Sequence, residues 1–387
     1  VATSLRTAIQ TWSTKGAIRF NRHELAGAFG DIGTDFPLLT GMILTARLDV
    51  ASVLTMFGLM QVLTGLLYRL PIPVQPLKAM AVIVITQKVN ADVLYGGGLS
   101  IGILMLALAL SGLLDRLGRL IPIAVIRGIQ FGLGLQLVLL ALKEYLPAEG
   151  APGFGLAAVG FLLTLLLLGN RKLPPAILLI LLGVGYGLST TDARWGEAVG
   201  FRPPQPTFPD SAAILNGFLI LALPQLPLSF GNSLLATRQT VADLFGRSLS
   251  LRRLGLTYAA MNLLNPLLGG VPTCHGSGGV GGHYAFGART GGSVIFYGMF
   301  YLTLGLFFSN GFHQVIHLFP KPILGVILLF EGLILLRLIR DMAAQQADFT
   351  LVLLIGLAAI SLPYGYALGL VGGTILAYWG KVQLARF

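Results

Sequence analysis

Lys78 stands inside "PIPVQPLKAM" (71–80), beside a glutamine and three prolines, with strongly apolar sequence on both sides. An ionisable residue in such a setting marks a functional position by default. Far along the chain, "GGVPTCHGSGGVGG" (269–282) sets a proline ahead of clustered glycines and small polar residues. Proline lacks an N–H and disfavours helix in the residue before it. Pro71, Pro73 and Pro76 therefore predict extended chain over 71–75 and a helix from near Pro76. That start leaves the N–H groups of Leu77, Lys78 and Ala79 at the positive end of a helix dipole. Pro272, followed by Gly276, Gly278 and Gly279, predicts a second start of the same kind, where glycine permits close backbone approach to a ligand. Two facing helix N-termini bind an anion. Lys78 would add a full charge, Gln75 amide donors, and Thr273, His275 and Ser277 further polar contacts. A plainer role for Lys78 is to neutralise Asp31 or Asp35, and the two roles are compatible.

Asp31, Thr34 and Asp35 are spaced i, i+3, i+4 and share one helix face. Two carboxylates so close in a low dielectric cannot both ionise cheaply, which suits proton coupling; alternatively they pair with Lys78 or cap a helix break at Gly30 or Gly33. Gln225, Ser229, Asn232 and Ser233 form a polar stripe on an otherwise apolar helix, either lining the site or bonding neighbouring helices. Blander readings suit the rest. His283 and Arg289 set topology, His313 and His317 belong to an outer loop, and Glu331 has no evident partner short of another helix or a second subunit.

These residues need membrane helices to position them. The 387-residue chain is 55% hydrophobic and 11% charged, with a mean hydropathy of +0.81; a soluble domain carries roughly twice that charge. Apolar runs predict fourteen spans, near 24–45, 51–68, 75–90, 97–114, 120–142, 153–169, 174–189, 212–236, 254–268, 277–289, 292–309, 321–339, 349–362 and 364–380. With the N-terminus inside, cytoplasmic segments collect Arg6, Lys15, Arg19, Arg22, Arg69, Arg116, Arg119, Arg171, Lys172, Arg238, Arg247, Arg252, Arg253, Arg289, Arg337, Arg340, Lys381 and Arg386. The outside receives Arg47, Lys88, Lys143, Arg194, Arg202 and Lys321, leaving Lys78 and Arg127 at membrane depth. The net charge of +11 is thus a topology signal, not a nucleic-acid footprint.

The polar linker 190–211 divides seven spans from seven, so the second half enters upside down, an inverted repeat of the kind used by secondary transporters. Its interrupted segments correspond: span three against span ten, and "GDIGTDFP" in span one against "LSFGNSLLATR" in span eight. The expected fold is all-α and polytopic, a single transmembrane unit over 1–387. Neither a signal peptide nor an appended soluble domain is expected. One cysteine, Cys274, excludes disulfides within the chain, and no cofactor is expected.

"FGDIGTDFPLL" (29–39), "PVQPLKAMAV" (73–82) and "PTCHGSGGVGGHYAFGARTGG" (272–292) resemble the signature segments of the molybdate transporter family, relatives of the SulP sulfate permeases without their STAS domain. "GART" (287–290) is similar to the wider sulfate-permease superfamily. The resemblance runs from about 20 to 380. It implies a core of spans 1–4 and 8–11 (24–114 and 212–309), a gate of spans 5–7 and 12–14 (120–189 and 321–380), motion of core against gate, and often homodimers. Relatives that carry nucleobases or sulfate commonly have a glutamate in span eight where Asn232 stands here. A neutral amide suits a dianion and moves proton coupling elsewhere, to Asp31 or Asp35.

The expectation is a secondary transporter of a tetrahedral oxyanion, molybdate before sulfate. The anion would sit among Gln75, Lys78, Ala79, His275, Gly276, Ser277, Gly278 and Gly279, with Thr34, Asp35, Asn232 and Ser233 as the remaining walls. A passive anion channel could use the same residues, whereas a nucleobase symporter fits Lys78 and Asn232 poorly. An enzyme is disfavoured, since the sequence shows no metal-ligand cluster, nucleophile–base pair or Walker motif. The 19 arginines against 7 lysines suggest a prokaryote and its plasma membrane, with both termini cytoplasmic.

Overall fold

The structure, a computed structural model, describes residues 16–167, 175–190, 199–362 and 364–379. Arg6, Lys15, Arg171, Lys172, Arg194, Lys381 and Arg386 of the charge pattern lie outside them, as does 191–198 of the linker. In the first half, α1 (Arg22–Ala28) passes through a 3-10 turn (Phe29–Asp31) into α2 (Ile32–Ala46), followed by α3 (Val50–Tyr68). Strand β1 (Val74–Pro76) leads into the short α4 (Lys78–Gln87), then α5 (Ala91–Leu110) and α6 (Leu113–Leu120). Helix α7 (Ile123–Leu140) runs on through a π turn (Ala141–Tyr145), and α8 (Gly150–Leu167) and α9 (Pro175–Thr190) follow.

The second half opens with α10, a 35-residue helix over Ser211–Phe245 with π segments at Phe218–Ala222 and Ser229–Ala236. Next come α11 (Leu251–Leu267), β2 (Thr273–His275), α12 (Ser277–Ala285), α13 (Gly292–Phe307) and α14 (Phe312–His317). Helix α15 (Lys321–Arg337) continues as a 3-10 turn (Leu338–Met342), and α16 (Gln346–Ser361) and α17 (Gly365–Trp379) end the described chain. Each of the fourteen predicted stretches contains a helix. Among the described residues six helices are long and apolar enough to cross a membrane unaided: α3, α5, α7 with its π turn, α8, α10, and α15 with its 3-10 turn.

Local chemistry sets the boundaries. Asn21, Asp49, Asn90, Asp210 and Ser250 each cap a helix start by accepting a backbone N–H. Helices α2, α3 and α4 close on Arg47, Arg69 and Lys88 in the left-handed region, a cation at the negative end of each dipole. Some expectations move. Helix α5 begins at Ala91 rather than near 97, α10 continues past 236 to Phe245, and His317 ends a short helix instead of lying in a loop. Leu59, Leu63 and Leu66 on α3, and Val159, Leu162 and Leu166 on α8, turn outward, as helices do when lipid is the solvent.

Helices α3 and α13, α5 and α11, and α5 and α10 pack together, as do α7, α15, α16 and α17. Between these two groups the main contacts are α12 on α15, α2 on α15, and α7 on α10. The two interruptions meet: β1 and β2 pair antiparallel, with Val74 opposite His275, Gln75 opposite Cys274 and Pro76 opposite Thr273. Each strand is clamped by an amide from the helix before it. Gln61 Nε2 donates to the Val74 carbonyl (2.7 Å) while Val74 N–H donates to Gln61 Oε1 (2.8 Å). Asn262 Nδ2 donates to the Thr273 carbonyl (2.6 Å) and Thr273 N–H donates to Asn262 Oδ1 (3.0 Å). The same device in both halves supplies the buried strand backbone with partners that a two-stranded ladder cannot.

Candidate functional site

Helices α4 and α12 each start directly after one strand of the antiparallel pair. Lys78 is the first residue of α4. Its Nζ is buried and makes neither a hydrogen bond nor an ion pair among the described residues. The expected free N–H groups of α4 are partly taken. Leu77 N–H donates to the Pro272 carbonyl (3.1 Å). Ala79 and Met80 N–H both donate to Gln225 Oε1, at 2.9 and 3.2 Å. Ala79 thus contributes a capped backbone rather than an open donor.

Gln225 is itself held by the polar stripe: its Nε2 donates to Ser229 Oγ (3.2 Å), which lies 2.7 Å from the Tyr258 hydroxyl. Lower on the stripe, Ser277 Oγ donates to Asn232 Oδ1 (2.7 Å), tying α10 to the first residue of α12, with Ser233 buried beside it. His275 departs from expectation. Its Nε2 lies 2.8 Å from Thr257 Oγ1, its Nδ1 faces the Pro73 carbonyl at 3.5 Å, and its ring stands edge-on to Tyr68. Both nitrogens are engaged in holding β2, and only its backbone borders the site.

Three fully buried carboxylates surround this point: Asp31, Asp35 and Glu331. Gln75 Nε2 donates to both oxygens of Asp31, at 2.7 and 2.8 Å. The Tyr297 hydroxyl donates to Asp35 Oδ2 (3.2 Å) and lies 3.2 Å from the Tyr301 hydroxyl. Thr34 Oγ1 donates to Glu331 Oε2 (3.2 Å). All three carboxylates interact electrostatically with Lys78 and with one another. Like charges confined together in a medium of effective dielectric about 20 repel by a few kcal/mol per pair. Three acids against one ammonium therefore cannot all be ionised cheaply.

The glycines of α12 exist for these side chains. A Cβ at Gly276 would overlap Gln75 Oε1, one at Gly278 would overlap Glu331 Oε1, and one at Gly279 would overlap Asp31 Oδ2. A cavity of about 250 Å³ opens between the start of α4, the middle of α10 and the α16–α17 turn, lined in part by Ala79, Pro224, Leu228, Leu362 and Tyr366.

At the far end of α10 stands the second ionisable residue expected at membrane depth. Arg127 on α7 forks onto Asp243 of α10 (2.5 and 3.0 Å) and onto Asp341 (2.6 to 3.1 Å), and donates to Gln130 Oε1 (2.9 Å). Gln130 Nε2 in turn donates to Thr240 Oγ1 (2.8 Å). Glu24, which the sequence reading did not single out, accepts the N–H groups of Arg289, Thr290 and Ser293 at the α12–α13 turn. It is the acid ahead of "FGDIG" in a first turn otherwise apolar and basic, and that isolation was its only signal.

The sequence matches the family described as "Molybdate transporter of MFS superfamily" over residues 23–137 and 217–335. Molybdate transporter 2 of Arabidopsis thaliana is 31% identical over 406 residues, covering 90% of this chain and 86% of its own. The chain belongs to the molybdate transporter family. Another member, molybdate transporter 1 of Chlamydomonas reinhardtii, is 25% identical and aligns with 98% of this chain and 95% of its own. These relatives are transporters, not enzymes. Among solved structures, SLC26A9 superposes with a TM-score of 0.59 at 12% identity, over 93% of this chain and 65% of that one. The transmembrane domain of a cyanobacterium bicarbonate transporter, BicA, gives 0.55 at 15%, over 95% and 97%. The family member is thus a multi-pass integral membrane protein with the fold of SLC26-type anion transporters.

Proposed function

We propose that this chain is a secondary transporter of a tetrahedral oxyanion, molybdate before sulfate, held between the N-termini of α4 and α12. One observation carries the reading: the buried ammonium of Lys78, which makes neither a hydrogen bond nor an ion pair among the described residues, begins one of the two half-helices that follow the paired strands. Replacing the hydration of a dianion takes charge and oriented N–H groups together. Gln75, Gly276, Ser277, Gly278 and Gly279 would contact the anion, with Thr34, Asp35, Asn232 and Ser233 around it. Asp31 and Asp35 remain candidates for proton coupling.

Fourteen crossings in two inverted sets of seven are supported by the paired strands and by the matched Gln61 and Asn262 clamps. The packing groups support a core of 24–114 and 212–309 and a gate of 120–189 and 321–380. The distribution of basic residues supports cytoplasmic termini, and the arginine bias a prokaryotic plasma membrane. In that orientation the cavity at Ala79 opens outward and the Arg127 ion pairs close the cytoplasmic side. Alternating access would follow as α12 and α10 move against α15 and α7, in a monomer or a homodimer.

The test is calorimetric titration of the purified chain with molybdate and with sulfate, wild type beside Lys78→Ala. Tighter binding of molybdate than sulfate, and loss of both in the variant, is the expected outcome. A folded wild type that binds neither, or a variant that binds as well as wild type, refutes the site.

A further inference from the structure

Glu331 is the only charged residue between Lys321 and Arg337 on α15. Its carboxylate is fully buried and lies against the first turn of α12. Oε2 accepts the Thr34 hydroxyl, while Oε1 has no hydrogen-bond donor among the described residues. Gly278 leaves room for that oxygen and for nothing larger, since a Cβ there would overlap it. Acidic oxygen thus stands where the positive end of the α12 dipole would meet an incoming anion.

The groups facing Glu331 are Asp31 from the 3-10 turn, Asp35 from α2, Lys78 from α4 and Tyr145 from the π turn after α7. Helix α12 brings His283, whose Nδ1 is 3.1 Å from Ser293 Oγ. Helix α7 brings Arg127, engaged by Asp243 and Asp341. Tyr186 is the titratable group of α9, and α8 carries none. Among the described residues Lys78 is therefore the cation that faces all three carboxylates, and it makes no ion pair with any of them.

We propose that Glu331 is a built-in occupant of the anion site: its carboxylate fills the α12 N-terminus of the empty transporter, and the oxyanion enters as Glu331 takes up one proton from water. Ionised, Oε1 opposes the dianion as an acceptor. Protonated, it can donate a hydrogen bond to it. Because α15 belongs to the gate group and α12 to the core group, the same event weakens the contact between them. This goes beyond the coupling candidates Asp31 and Asp35, and it rests on the anion-site reading.

Linkage fixes the sign. If the bound state holds the extra proton, affinity rises as pH falls, by up to about tenfold per pH unit, and levels off once Glu331 is already protonated in the empty protein. The experiment is calorimetry on the full chain with sodium molybdate and with sodium sulfate, which keeps its charge across the range. Each titration is run in two buffers of different ionisation enthalpy, for wild type, Glu331→Gln and Glu331→Ala. Proton uptake approaching about one per anion in wild type, with uptake and pH slope lost in a folded variant, is the expected result. Wild-type binding without proton uptake overturns the proposal whatever the variants do. So does a variant that keeps the wild-type uptake, which would return coupling to Asp31 or Asp35. A wild type that binds neither anion at any pH refutes the site reading itself and the proposal with it.

Discussion

Replacing Arg127 by methionine should loosen one side of the molecule by an amount the contacts define. The Arg127 side chain is only 4% exposed, with Asp243 at 19% and Asp341 at 45%. Asp341 follows α15, which packs in the same group as α7, so the proposed separation of the two groups would leave its bonds intact. The fork onto Asp243 of α10 does cross between the groups, through bonds of 2.5 and 3.0 Å. A charge-assisted pair this buried contributes about 1.5–3 kcal/mol. Asp243 keeps the Gln239 amide as a donor (2.9 Å), and Asp341, which loses its bonds to Arg127, is 45% exposed and turns to water. Methionine retains much of the apolar stem packing. The closed-to-open ratio should therefore fall by roughly 10- to 150-fold.

Cys274 provides the readout. It is the only cysteine of the chain, 3% exposed, and lies opposite Gln75 in the strand pair. When opening is fast relative to labelling, the rate of maleimide reaction follows the open population. In vesicles, reagent applied to the Arg127 side should label Cys274 about 10 to 150 times faster in Arg127→Met than in wild type. Reagent on the other side should not gain. Equal rates in a variant of unchanged thermal stability would refute the role of this ion pair as a closure.

The strand clamps make a stability prediction. Gln61→Leu or Asn262→Leu strands two buried backbone groups and should cost about 2–4 kcal/mol, read as a lowered midpoint in a thermal melt in detergent. Gly276→Ala places a methyl on Gln75 Oε1; it should abolish molybdate binding in calorimetry, and wild-type affinity would show that the strand crossing does not shape the site. Gln225→Leu uncaps Ala79 and Met80, and a loss of about 1–2 kcal/mol is expected in the same melt, with weaker anion binding.

Proline and glycine act on their own backbone, so their effects are written locally. That is why "PIPVQPLKAM" and "GGVPTCHGSGGVGG" disclosed two half-helices and Lys78 before any contact was known. Apolar run length located the helices for the same reason, missing mainly where helix continues into polar sequence, as α10 does beyond 236. Partners are another matter, because they depend on which distant segments pack together. Nothing near Glu331 foretold Thr34, 297 residues away. For Gln225 the stripe left two roles open, lining the site or bonding a neighbouring helix, and the structure has it cap α4 from 146 residues off. His275 offered two ring nitrogens, and Thr257 and Pro73 took both. Arg127 was placed at membrane depth by counting charges, yet its bonds to Asp243 and Asp341 span 116 and 214 residues. Where the chain breaks, and that the Lys78 ammonium, Asp31, Asp35 and Arg127 are buried, was legible in the residues alone, since backbone sterics and the surrounding apolar sequence set both, whereas the burial of Glu24 was not. Which of those groups find partners depends on the packing of distant segments, and that packing leaves Lys78 Nζ and Glu331 Oε1 without a hydrogen bond among the described residues.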